Sequence, residues 1–190
     1  MFEQAISRYI EETRSILAGL SVSDIQKLIE LLLGALQADR QVLIMGNGGS
    51  AATASHFVND FNKGVSEKLG RRFRFICLND NVSTLMAIAN DIGFEQVFEF
   101  QLRNYLSPGD VVIGISGSGN SENVVRAMEY ANTQGAHTVG LLGFDGGRLA
   151  RIVKLPIIIR SDNMQHVEDL HLLLDHLVMS VIIASNGKGA

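Results

Sequence analysis

The sequence predicts an α/β fold. The expected form is a three-layer sandwich on a five-stranded parallel sheet, preceded by a helical hairpin and closed by a long C-terminal helix. Three observations predict it. Short runs rich in β-branched residues recur after residue 40, at Gln41–Met45, Phe73–Leu78, Val111–Ile115, Thr138–Leu142 and Leu155–Ile159. These runs are apolar on both faces, as strands covered on two sides must be. Each gap between them has room for a helix, and alternating strand and helix patterns make βαβ units. No Pro/Gly/Ser linker or internal repeat divides the chain, so residues 1–190 read as one domain, with N-terminal helices in 1–38 and the α/β core in 41–190.

In chain order, residues 2–18 carry Phe2, Ile6, Tyr9, Ile10, Ile16 and Leu17 near one stripe, which predicts an amphipathic helix. A second helix is expected to start at Ser23, where Ser23-Asp24-Ile25-Gln26 has the form of a capping box, and to end near Leu36. Its leucines cover more than one face, so it is expected to be covered on two sides, one of them by a partner subunit. Helices are then expected to begin near Ala51 and Glu122, each directly after a glycine-rich loop. Asp145-Gly146-Gly147 reads as a turn capping a short helix, and the last helix spans about 165–185.

Composition removes several function classes. The net charge is −4 from 16 Lys+Arg and 20 Asp+Glu, without a basic run, so the chain lacks the cationic face that binding a nucleic-acid backbone requires. An apolar fraction of 46% excludes a disordered chain. Cys77 is the single cysteine, which leaves no internal disulfide and fits a reducing compartment. Its setting among Phe75, Ile76 and Leu78 reads as a core thiol. The acidic N-terminus lacks the pattern of a signal peptide, and His171, Asp175 and His176 interrupt the most apolar stretch, Leu170 to Ala184. No membrane span is therefore expected, and the expected location is the cytoplasm.

What stands out is the 19 glycines in 190 residues, and their placement. The first predicted strand runs into Gly46-Asn47-Gly48-Gly49-Ser50, the third into Ser116-Gly117-Ser118-Gly119-Asn120-Ser121. In a parallel sheet, ligands bind beyond the carboxyl ends of the strands, where such loops sit. Glycines let the backbone approach a ligand, and consecutive amides at a helix N-terminus attract an anion. Neither loop is a dinucleotide fingerprint or carries the G-K-[ST] of a triphosphate loop, so the pair points to a small phosphomonoester such as a sugar phosphate.

These two loops, His56 after the first, Ala89-Asn90-Asp91-Ile92-Gly93-Phe94, Asp145-Gly146-Gly147, and a final helix with His171 and His176 together resemble the SIS (sugar isomerase) superfamily. Within it the chain is most similar to the phosphoheptose isomerases, over nearly its whole length. The resemblance implies a flavodoxin-like sandwich, a homotetramer with sites at subunit interfaces, and isomerisation of sedoheptulose 7-phosphate to D-glycero-D-manno-heptose 7-phosphate. It also implies a divalent metal, zinc in many relatives, held by His56, Asp60, Glu168 and His176. Asp60 matches the family's base and His176 its acid. Substrate contacts map to Asn47, Gly48, Gly49, Asn90, Asp91, Ser116, Gly117, Ser118 and Ser121, with Ser50 close by.

The residues offer the chemistry independently of the resemblance. Ketose–aldose isomerisation needs a base at carbon and proton shuttling at the oxygens. His56 and Asp60 share a helix face at i,i+4, while Glu168, His171, Asp175 and His176 share the last helix. His176, amid Leu174, Leu177 and Val178, is expected to be buried; His171, about 140° around the helix from it, reads as structural or subunit-facing. His137 and His166 read as surface residues. Four departures from the family pattern stand out: Asp60 where the family has Glu, Glu168 where it has Gln, Gly117 where Thr is common, and Gln165 where Asp often precedes the last helix. Either Glu168 supplies the longer carboxylate that Asp60 lacks, making it catalytic too, or the substrate differs. The rival from another class is a non-catalytic SIS protein that senses a sugar phosphate or adapts a protein partner.

Overall fold

The sheet runs in the order β2-β1-β3-β4-β5, all strands parallel. In the computed structural model, which describes residues 2–186, the strands are β1 (Val42–Gly46), β2 (Phe75–Cys77), β3 (Val111–Ser116), β4 (His137–Gly143) and β5 (Leu155–Ile159). The helices are α1 (Phe2–Ala18), α2 (Val22–Gln37), α3 (Gly49–Asn59), α4 (Ser66–Leu69), α5 (Val82–Asp91), α6 (Val97–Tyr105), α7 (Glu122–Thr133), α8 (Leu149–Ile152) and α9 (Met164–Asn186). The expected three-layer architecture is present. Alternate residues of the strands feed two separate cores, as a pleated strand requires. Val42 and Ile44 of β1 face α2, α3 and α9; Leu43 and Met45 face the layer of α5 to α8.

Boundaries move for local reasons. Ser21, not Ser23, caps α2: its hydroxyl accepts from the Asp24 amide at 3.3 Å, three residues on, as an N-cap does. β2 begins at Phe75 because the Phe73 amide is already bonded to the Ser66 hydroxyl at 2.9 Å. Gln41 stays outside β1, its amide held by Asp110 at 3.0 Å.

Two features position the site and were not read from the sequence. α3 does not stop at Asn59 but continues as a π-helical stretch over Asp60–Val65, a form that clusters at functional sites. Helix α1 is amphipathic as expected, yet none of its residues is buried; Phe2 is 83% exposed, with Ile6 and Ile10 also open. Ile16 packs partly buried on the core, and the rest of its anchor is polar. Tyr9 donates to Asp169 at 2.5 Å, and Thr13 Oγ1 lies 2.9 Å from Nδ1 of His166, which is buried rather than at the surface as expected.

Candidate active site

The order 2-1-3-4-5 reverses direction between β1 and β3, and the crevice beyond their carboxyl ends is where such sheets bind ligands. Both glycine-rich loops open there. Gly48 has φ +55° and ψ −122°, a backbone form that disfavours a side chain, and it precedes the first amides of α3. Asn79 holds the end of β1 by both Gly46 backbone groups, at 3.2 and 2.8 Å. Asn47 and Asn123 exchange amide hydrogen bonds at 2.9 and 3.0 Å, which ties the first loop to the start of α7 across the crevice. Opposite, Ser116 and Ser121 hydroxyls are 3.1 Å apart, and Ser121 makes no side-chain cap to α7, so its hydroxyl is spared for other use. Ser118 accepts from the Asn120 amide at 3.2 Å.

The other predicted contact residues stand in different local settings. Ser50 is buried against Gly46, and Gly117 lies under Met164 of α9. At Gly119, φ is +65° and a Cβ would stand 2.0 Å from the Gly146 carbonyl oxygen, so this glycine seats the 143–147 turn. Asn90 and Asp91 sit at the far end of α5, exposed and bonded to each other at 2.7 Å, with no recorded hydrogen bond to either loop. The Asp145-Gly146-Gly147 segment does turn, Asp145 Oδ1 accepting from Gly147 at 3.0 Å, ahead of α8.

The second cluster lies where α9 crosses α3 and the π stretch. Phe57 and Phe61 are fully buried and stack at 6.0 Å, which pins one face of the helix. One step around it, His56 and Asp60 form the parallel i,i+4 pair and are presented to α9. There His56 Nε2 lies 3.5 Å from Asp60 Oδ2, His176 Nε2 lies 3.6 Å from the same oxygen, and the two Nε2 atoms are 3.1 Å apart. Donors bonded tetrahedrally at zinc-like lengths stand about 3.3–3.5 Å from one another. The triangle therefore fits one cation. The His56 and Asp60 side chains are 41% and 14% exposed; His176, expected to be buried, is 55% exposed. The buried stripe of α9 runs through Val167, Leu170, Leu174, Val178 and Ile182, and His176 falls outside it.

Glu168 is not brought into this group. It stands two helical turns above His176, about 12 Å along the axis, with its carboxylate folded over Gly49, where a Cβ would meet Oε1 at 2.6 Å. Asp175 lies beside the triangle: His56, Asp60, Asp175 and His176 offer ligand atoms all within 4.8 Å of one another. Burial pushes the Asp175 carboxyl up to about 8, and nearby Asp60 adds in the same direction. The signal was present in the sequence as the one carboxylate inside the apolar run of α9. His171 is structural: it is buried, its Nε2 bonds the Leu142 carbonyl at 3.2 Å, and burial holds its imidazole down to about 4 against that bond.

The fold and these two clusters define a doubly wound α/β domain with a glycine-rich crevice, and the SIS domain pattern matches residues 8–143. The phosphoheptose isomerase of Geobacter sp. strain M21 is 38% identical over 171 residues, spanning 90% of this chain and 88% of its own length. That of Geotalea daltonii is 42% identical over 158 residues, 83% and 82% of the two chains. The solved structure of phosphoheptose isomerase GmhA from Neisseria gonorrhoeae superposes with a TM-score of 0.89 at 31% identity, covering 97% of this chain and 100% of that one. The chain belongs to the SIS-domain family, within its phosphoheptose isomerases.

Proposed function

We propose that the chain interconverts sedoheptulose 7-phosphate and D-glycero-D-manno-heptose 7-phosphate. The observation that carries this reading is the His56–Asp60–His176 triangle, where α9 meets the helix whose N-terminus opens on the glycine-rich crevice. Gly49 and His56 are seven residues apart on α3, about 10 Å along its axis. An extended sugar-phosphate chain bridges such a distance, with phosphate on amides and serine hydroxyls at one end and C1/C2 at the other. Asp60 takes a proton from C1 of the ketose, leaving an enediolate; the proton exchanges with water on the carboxyl, and Asp60 delivers a proton to C2. His176 carries a proton between O1 and O2 as the carbonyl moves from C2 to C1, so no atom is gained or lost. Glu168, beside Gly49, orients the chain rather than moving the proton.

His56, Asp60 and His176 would hold a divalent cation, for which two imidazoles and a carboxylate are ordinary zinc donors. When bound, it supplies a Lewis acid that polarises the sugar oxygens. His56 and His176 stand half-open, and α1 leaves its apolar stripe uncovered, which supports a homotetramer with sites closed by neighbouring subunits. Among the described residues no helix is long and apolar enough to cross a membrane. The lone, buried Cys77 thiol supports a reducing compartment, such as the cytoplasm. Incubation with sedoheptulose 7-phosphate, followed by NMR, tests the activity: appearance of aldose C1 signals is expected, and an unchanged ketose refutes it. Pure binding without turnover is the outcome a sugar-phosphate sensor would give.

A further inference from the structure

We propose that Asp175 is the fourth donor of the cation site, completing a set of two histidines and two carboxylates with His56, Asp60 and His176. The inference rests on the reading of that triangle as a metal site, and adds a residue to it. Three observations carry it. Asp175 has no exposed surface, and neither of its carboxylate oxygens has a hydrogen-bond partner among the described residues. A buried carboxylate without a partner costs several kcal/mol, so a fold that keeps one needs a compensating group. Second, one of those oxygens comes within 4.8 Å of donor atoms of His56, Asp60 and His176, and of no lysine or arginine by any recorded ion pair. Third, its immediate charged neighbour is another carboxylate, Asp60, which repels it. Two facing carboxylates and two imidazole nitrogens attract a single small dication. The Glu168 carboxylate lies over Gly49 instead, outside this group.

The alternative is that Asp175 is a structural residue of α9, and the two roles predict opposite signs. In metal-free protein, Asp175→Asn and Asp175→Leu should raise Tm or leave it unchanged, because a buried carboxyl with no hydrogen-bond partner is removed. The rise in Tm produced by Zn²⁺ in the parent should shrink, with affinity at least ~10-fold weaker by competition against a chromogenic chelator. The Co²⁺-loaded parent should give the visible absorption of a four-coordinate ion, altered in Asp175→Asn and preserved in Glu168→Gln. Asp175→Asn and Asp175→Leu binding Zn²⁺ as the parent does, while His56→Ala loses it, would overturn the assignment of Asp175 and leave the triangle standing. No Zn²⁺ or Co²⁺ binding by the parent would overturn both. A lowered Tm of metal-free Asp175→Asn with unchanged affinity would assign it the structural role instead.

Discussion

At the scale of single residues, the two carboxylates that the sequence left competing for one role now have different places. Asp60 sits in the histidine triangle and Glu168 over the first loop. Asp60→Asn should therefore lower kcat by at least ~100-fold, the scale of a lost general base, with KM little changed. Glu168→Gln should raise KM and spare kcat; steady-state kinetics on both variants separates the two roles, and a kcat collapse in Glu168→Gln would reverse them. His171 makes a prediction about stability. Folded, it stays neutral down to about 4, whereas an unfolded histidine takes up a proton near 6.5. Between those values the unfolded chain binds the extra proton, so stability falls as pH drops through that window, by up to about 1.4 kcal/mol per pH unit. Urea midpoints at pH 6.5 and 4.5 should show a shallower fall in His171→Gln than in the parent. Helical spacing placed His171 and His176 on different faces, but not which face a neighbour covers. His176 is open because the stripe beside it packs, and His166 is closed because α1 lies over it.

At the scale of elements, the strands and the two loops were legible because burial on both faces and glycine after a strand are local signals. What those glycines do was legible only in part. Gly48 has open space where a side chain would stand, as a ligand-facing position needs, whereas Gly119 seats the 143–147 turn against its own backbone. Gly119→Ala should accordingly cost about 2 kcal/mol or more in stability, read as a lower thermal midpoint. Asn123→Ala leaves Asn47 without its amide partner across the crevice. It should cost about 1–3 kcal/mol and raise KM for the sugar phosphate. The π stretch after α3 was not legible, since the widened turn follows from packing against α9, where Gly64 lies under Met179, and not from any local composition.

At the scale of the whole molecule, one chain supplies a crevice between β1 and β3 and a polar cluster between α3 and α9, while leaving α1 with an uncovered apolar stripe. Patches of that kind mark association surfaces. Light scattering at micromolar concentration should return a multiple of the 20.7 kDa chain, and Ile6→Glu with Ile10→Glu should reduce it. A parent monomer would contradict the shared-site reading. The order of the motifs made the superfamily readable from the chain alone, because each motif is carried by a short segment. The resemblance groups His56, Asp60, Glu168 and His176; the proximity of Asp175 to His56, Asp60 and His176 arises from the crossing of two helices and has no local signature. The central claim is proton transfer between two adjacent sugar carbons by Asp60 and His176. Turnover of sedoheptulose 7-phosphate in D₂O tests it most directly: deuterium at C2 of the aldose and at C1 of recovered ketose, with both signals lost in Asp60→Asn, is the predicted result. Conversion without deuterium entering from solvent, or undiminished exchange in Asp60→Asn, would contradict it.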